Sequence, residues 1–140
     1  MSLDSEKMKA ERLNLLYNMC DVGLTTAMGE GWGLTSFEHV ATGAPQIVPD
    51  HTSFKENWTE GAILLNPVKQ EYIFYELANM FVVCADDVAL GLTELYEDSN
   101  YYKKMAMAAY NKTQCAMLRW TNVKQRFFKV LEASLDVRQS

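Results

Sequence analysis

The chain has 140 residues, 49% hydrophobic and 22% charged, which suits a globular protein of about one domain. Its net charge of −5, with no long basic run, argues against a nucleic-acid-binding surface. No apolar run approaches the ~20 residues that a membrane-spanning helix needs, and the charged start lacks a signal-peptide core. We therefore expect a cytoplasmic protein with no transmembrane segment and no nucleic-acid partner.

Helical and extended patterns alternate along the first half of the chain. The spacing of Leu13, Leu16, Tyr17 and Cys20 predicts an amphipathic helix over about residues 5–19. The segments that follow are, in order, a buried strand over 21–27, a glycine-rich loop, a helix over about 34–42, a short strand "QIVP", a helix starting "SFKENW" and a strand "AILLNP".

The second half of the chain is mainly helical. Residues 67–84 fit a helix, a strand or a turn between the two, and the sequence does not decide among them. From Ala85 onwards, three apolar stripes at helical spacing predict helices, with a break at Trp120 and Thr121.

This order of segments is typical of an α/β fold. Short apolar strands that alternate with helices predict a Rossmann-like parallel sheet of three to four strands with helices on both faces. A sheet this small keeps an open edge unless something covers it.

The stretch "MGEGWGLTSFEHVATGAP" is the most informative in the chain. Three of the seven glycines, Gly29, Gly31 and Gly33, fall within five residues, directly before a predicted helix. In a parallel sheet such a loop lies at the carboxyl ends of the strands, where ligands bind. Glycines permit close approach of the backbone, and helix N–H groups favour an anion, so the loop suits a phosphorylated ligand.

Two acids in the same stretch need another explanation, because a carboxylate repels phosphate. Glu30 lies within the loop and Glu38 lies about one turn inside the helix. Carboxylates accept hydrogen bonds well from the paired hydroxyls of sugars. A phosphate group between two sugar rings describes a nucleotide sugar.

The stretch "LYNMCDVGLTTAMGEGWGLTSFEHVATGAPQIVPD" resembles the C-terminal domain of GT-B glycosyltransferases. The resemblance is to the retaining family of glycosyl transferases group 1, which carries two glutamates separated by seven residues. Their setting is like E-G-F-G-L-x-x-x-E, followed by a small residue, Gly, x and Pro. The positions that match this pattern are Glu30, Gly31, Trp32, Gly33, Leu34, Glu38, Gly43 and Pro45. The segments "DHTSFKENW" and "ADDVALGLTELYED" also look like the family, so the resemblance covers about Leu16 to Leu131.

The resemblance implies a role for each matching residue. Glu30 would contact the donor sugar as the catalytic residue, and Glu38 would bind the ribose of the nucleotide. Backbone N–H groups would hold the phosphates over the segment Gly31, Gly33, Leu34, Thr35 and Ser36. A UDP- or GDP-linked sugar would be the substrate, and neither a metal nor a cofactor is expected.

Simpler interpretations remain open for several of these residues. Thr35 and Glu38 have the spacing of a helix capping box, as do Ser53 and Glu56, and Glu30 could be a solvated loop acid. Trp32 fits loop packing better than base stacking. His39 and His51 show no spacing typical of metal ligands, and we expect both to be incidental.

The chain also departs from the family pattern. The family begins this domain with a strand that carries an Arg and a Lys for the pyrophosphate, and no match occurs before Leu16. We therefore expect residues 1–140 to be a single domain, the second half of a donor-binding domain. The missing N-terminal domain or another chain would cover the open sheet edge, and a homo-oligomer is possible.

The resulting hypothesis is the donor-binding part of a glycosyltransferase of the hexosyltransferase type, inactive without its missing parts, that acts with retention in carbohydrate biosynthesis. One alternative is a non-catalytic nucleotide-sugar-binding or assembly module. Another is a GT-B epimerase or phosphorylase relative.

Overall fold

Three short parallel strands form the centre of the protein in a computed structural model that describes residues 8–74 and 78–136. They are β1 (Gly23–Leu24), β2 (Gln46–Pro49) and β3 (Ala62–Leu65), and they lie side by side in that order. Gly23 pairs with Gln46, and Gln46 pairs with Ala62. The glycine loop after β1 and the turn after β2 therefore leave the sheet at the same edge.

Helices connect the strands and cover the sheet. In chain order they are α1 (Ala10–Asn18), α2 (Leu34–Val40), α3 (Thr52–Asn57), α4 (Ala85–Glu97), α5 (Ser99–Thr113), a 3₁₀ turn (Ala116–Leu118) and α6 (Trp120–Asp136). Within the described residues, no helix is both long enough and apolar enough to cross a membrane.

Neighbouring residues of β2 enter two separate hydrophobic clusters, because successive side chains of a strand point to opposite faces. Val48 packs with Val40 of α2 and Phe54 of α3. Ile47 packs on the other face with Leu95 of α4 and Met105 of α5. The predicted parallel sheet with helices on both faces is confirmed, and the "QIVP" strand has the predicted bounds.

Gly61 lets the turn before β3 pass close to α5. Its φ of +84° lies in the left-handed region, and a Cβ atom there would stand 2.3 Å from the backbone nitrogen of Ala109. Glycine at this position satisfies both the backbone conformation and the close approach.

The predicted buried strand over 21–27 is wrong in extent and in burial. β1 contains only Gly23 and Leu24, and the side chain of Leu24 is 49% exposed. The N–H of Thr25 still donates to the carbonyl of Ile47 in β2, but beyond it the N–H of Ala27 donates to Thr25 Oγ1 rather than to a strand. β1 pairs with β2 on one side only among the described residues, so its outer edge lacks the cover that a buried strand requires.

The ends of the predicted helices also shift. α1 begins at Ala10 rather than near residue 5, and residues 5–7 of that prediction lie outside the described part. α2 ends at Val40, two residues before the predicted end.

A β-hairpin resolves the ambiguous stretch 67–84. β4 (Pro67–Ile73) and β5 (Ala78–Val83) pair antiparallel in a two-stranded sheet of their own, with a bulge between Pro67 and Lys69. Of the three possibilities for this stretch, strand is correct for the two segments, and residues 75–77 between them are outside the described part.

Candidate functional site

The candidate site lies where the glycine loop meets the turn between β2 and α3. Both segments follow the carboxyl ends of parallel strands, the edge at which α/β proteins bind ligands. The N–H of Glu30 in the loop donates to Thr52 Oγ1 in the turn over 3.3 Å. This hydrogen bond joins two segments that are 22 residues apart in sequence.

The carboxylate of Glu30 is folded back onto its own loop. Its Oε1 accepts hydrogen bonds from the backbone N–H groups of Gly31, over 3.0 Å, and Trp32, over 3.4 Å. The residue is exposed, so the carboxylate is ordered by the loop and still accessible to solvent. The Glu30 carboxylate is therefore hydrogen-bonded to its own loop and is not a freely solvated acid.

Glu38, in α2, is hydrogen-bonded to a residue of α1. Its Oε2 accepts a hydrogen bond from the Tyr17 hydroxyl of α1 over 3.1 Å, and the Tyr17 ring stacks on His39 at 5.4 Å. Burial raises the pKa of Tyr17, and the hydrogen bond to Glu38 and its negative charge add to the rise.

The capping-box interpretation of Thr35 and Glu38 is wrong. α2 begins at Leu34, and its N-cap is Gly33, with a left-handed φ of +82° and no capping side chain among the described residues. The first backbone bond of the helix runs from the N–H of Phe37 to the carbonyl of Gly33. The N–H groups of Leu34, Thr35 and Ser36 precede that bond, so the helix ladder does not use them.

The turn after β2 has an unusual backbone. Thr52 has a φ of +47°, and it is the one non-glycine residue with positive φ in the described part. A β-branched residue in this region is strained by about 1–3 kcal/mol, so the surrounding contacts must hold it there. His51 Nδ1, 3.2 Å from Thr52 Oγ1, supplies one of those contacts.

His51 is only 4% exposed and stacks on Phe81 of β5, with ring centroids 4.7 Å apart. Burial lowers the pKa of His51, while the backbone of Ala27 and the charge of Asp50 oppose that shift. The sequence predicts an incidental role for His51, but the structure buries it beside the candidate site. Its position two residues after a buried strand is the signal that could identify it.

Three buried polar atoms in this turn have no hydrogen-bond partner within the described residues: Asp50 Oδ1, His51 Nε2 and Ser53 Oγ. The other Asp50 oxygen lies 3.9 Å from Lys55 Nζ, which brings a cation to this edge of the sheet. The capping box predicted for Ser53 and Glu56 is wrong, because α3 begins at Thr52 with His51 as N-cap and no capping side chain in the described chain.

Trp32 lies in the glycine loop and is 40% exposed, and its ring contacts α2 rather than the loop itself. Its ring is tilted against Phe37 at 6.0 Å, and its carbonyl oxygen accepts from Asn57 Nδ2.

Two cavities differ in how close they lie to the predicted site. Thr35 and Ser36 border a cavity of about 150 Å³ that Tyr17 and His39 also line. A larger cavity of about 670 Å³ lies near the opposite end of β1, beside Asp21 and Tyr96, away from the glycine loop. In residues 8–74 and 78–136 no group of three His, Cys, Asp or Glu side chains could hold a metal ion.

Tyr17 and Thr52 are hydrogen-bond partners of the two glutamates that sequence reasoning does not identify. From the sequence, Tyr17 is predicted only as part of the apolar stripe of a helix. Neither residue carries a local signal, because each acts on a glutamate more than 20 positions away in the chain.

Comparison with known proteins gives evidence on the fold. No protein-family model matches the chain, and no curated protein sequence matches it significantly. Solved structures do match, among them sucrose-phosphate synthase from Thermosynechococcus elongatus, with a TM-score of 0.71 and 16% sequence identity. The match covers 93% of this chain and 29% of that protein. At this identity the match establishes the fold alone, a Rossmann-like α/β architecture with a parallel three-stranded sheet flanked by helices.

Proposed function

We propose that the glycine loop and the start of α2 bind a nucleotide diphosphate sugar, UDP- or GDP-linked, as the donor site of a retaining glycosyltransferase. The observation that carries this proposal is that two exposed, hydrogen-bonded carboxylates, Glu30 and Glu38, flank in sequence the backbone N–H groups that α2 leaves unused. One solved structure with this fold is a sucrose-phosphate synthase, and its name agrees with a role in sugar transfer.

Each part of the donor has a proposed partner. Glu30 contacts hydroxyls of the transferred sugar and stabilises positive charge as the glycosidic bond breaks, which makes it the catalytic residue. Glu38 binds the ribose hydroxyls, with Tyr17 fixing its orientation. The backbone of the segment from Gly31 and Gly33 to Leu34, Thr35 and Ser36 holds the phosphates, and the reaction needs no metal.

The chain spans 29% of the length of that sucrose-phosphate synthase. We propose that sugar transfer takes place in a larger assembly. We propose that the open edge of β1 is covered there by an additional domain of the same protein or by another chain, including a second copy. The acceptor site and the cations for the pyrophosphate would come from those parts.

Binding measurements on the 140-residue chain test the two glutamates separately. Ribose is present in UDP, GDP and their sugars, so Glu38→Gln should weaken binding of nucleotides and nucleotide sugars alike. The transferred sugar is present only in the nucleotide sugars, so Glu30→Gln should weaken only those. A hydrogen bond to a charged group contributes about 1.5–3 kcal/mol, so each loss should be about tenfold or more by isothermal titration.

Glu132→Gln on α6 is a matched control that should leave every affinity unchanged. Absence of nucleotide binding by the wild-type chain, or equal affinities for all variants, would contradict the proposal. In an assembly that carries out transfer, Glu38→Gln should raise the donor KM, and Glu30→Gln should lower kcat by on the order of 10²–10³. Isomerisation of the donor sugar without an acceptor would instead indicate an epimerase.

A further inference from the structure

The β4–β5 hairpin touches the candidate site at two points through one residue. The N–H of Phe81 donates to the carbonyl of Met28, at the start of the glycine loop, over 2.9 Å. The ring of the same residue stacks on His51 in the turn after β2. The hairpin therefore contacts both segments that meet at Glu30, although it belongs to a separate sheet.

Thr52 connects the second contact to Glu30. Its Oγ1 accepts the hydrogen bond from the N–H of Glu30 and lies within hydrogen-bond distance of His51 Nδ1. The left-handed φ of Thr52 is unfavourable, and such a conformation persists only where the surroundings determine it. The stacked and buried His51 is the neighbour that can fix this hydroxyl in place.

The part of the loop around Glu30 is restrained little by its own sequence. Glu30 is flanked by Gly29 and Gly31, and glycine permits more backbone conformations than any other residue. A Cβ atom on Gly29 would have Met80 Sδ of β5 as its nearest neighbour, at 3.5 Å. The hairpin and Thr52 together restrict a segment whose sequence would otherwise leave it mobile.

We propose that the hairpin is a positioning element for Glu30, acting directly through the Phe81–Met28 hydrogen bond and indirectly through the series Phe81, His51, Thr52. Its effect on the donor sugar rests on the function proposed above, whereas its effect on the loop does not. The series sets the position of the Glu30 backbone, and the carboxylate follows because it is bonded to the next two N–H groups.

Two pairs of substitutions test the series. Thr52→Val removes the hydroxyl but keeps the branched shape, and Thr52→Ser keeps the hydroxyl. Phe81→Leu removes the ring that stacks on His51, and Phe81→Tyr keeps it. All four variants can still form the backbone hydrogen bonds of β5. The two Thr52 variants change the side-chain volume least, so they test the proposal even if Phe81→Leu folds poorly.

Amide exchange of Glu30, Gly31 and Trp32 by NMR is the measurement that needs no ligand. We expect Thr52→Val and Phe81→Leu to raise exchange at Glu30 by about tenfold, the effect expected when the hydrogen bond from the Glu30 N–H to Thr52 Oγ1 is lost. Thr52→Ser and Phe81→Tyr should exchange like the wild type. Exchange in Thr52→Val equal to the wild type would overturn the proposal.

Ligand titration separates this inference from the proposed function. Where nucleotide sugars bind, Thr52→Val should weaken the UDP- or GDP-sugar by several-fold and leave the free nucleotide unaffected, because Glu30 is assigned to the sugar. Equal loss for both ligands would overturn a role through Glu30. Altered exchange in a chain that binds no nucleotide would support the positioning of the loop and reject the proposed function.

Discussion

The core around the parallel sheet, formed by the strands and the helices that cover them, and α6 contain similar apolar side chains but bury them very differently. Ile47 and Val48 of β2 are fully buried, and Phe54 is 1% exposed. In α6, Phe127 is 61% exposed and Trp120 is 85% exposed. An apolar stripe at helical spacing thus predicts a helix and the face of it that should be buried. It does not identify the segment or chain that packs against that face.

The difference comes from chain connectivity. β1 and β2 are followed along the chain by α2 and α3, and β3 leads through the β4–β5 hairpin into α4. These connections bring the apolar faces of the three helices onto the sheet. α6 comes after the last strand, and the 3₁₀ turn just before it is its main contact in the described chain.

Truncating one phenylalanine in each region should give the largest contrast. Phe54→Ala should lower the free energy of unfolding by about 3–5 kcal/mol, because it opens a cavity in the cluster with Val48 and Trp58. Phe127→Ala should change it by less than about 0.5 kcal/mol. Urea denaturation of both variants is the measurement, and a comparable loss in Phe127→Ala would mean that α6 is buried against something in solution.

Two glycines give a second, smaller contrast within the α/β region. Gly61→Ala should destabilise by about 2–3 kcal/mol, because the left-handed φ and the contact with Ala109 both oppose a Cβ atom. Gly43 has a similar φ of +92° but nothing within 4 Å of the added atom, so Gly43→Ala should cost about 1 kcal/mol. Thermal melts of the two variants separate the cost of the left-handed φ from the cost of the close contact. Equal losses of stability would mean that backbone conformation accounts for the whole effect.

The smallest expected effect is a dependence of stability on pH through His51. Burial lowers its pKa in the folded state below the ordinary 6.5, so the unfolded chain binds more protons as the pH falls through that value. The free energy of unfolding should therefore decrease as the pH is lowered from about 7.5 to about 5.5.

Melting temperatures over that range, compared with those of His51→Gln, isolate the contribution of this side chain. The variant should show a shallower decline, whatever its absolute stability. Identical slopes would show that His51 titrates alike in the folded and unfolded chain.

Much of the fold follows from local patterns. The "QIVP" strand, the helix that follows the glycine loop and the helices after Ala85 each carry their own periodicity, turn residues or chain breakers, and these signals act within a few residues. The glycine loop with Glu30 and Glu38 was recognisable for the same reason.

Only the tertiary structure decided the rest, because the forces involved act between segments distant in sequence. β1 is two residues long because it lies at a sheet edge, and the stretch 67–84 forms a hairpin because pairing selects one of three local possibilities. Glu38 bonds to Tyr17 rather than capping its helix, and Thr52 holds a left-handed conformation beside a buried His51. Side-chain hydrogen bonds, stacking and backbone strain of this kind depend on proximity in space, which neither composition nor periodicity encodes.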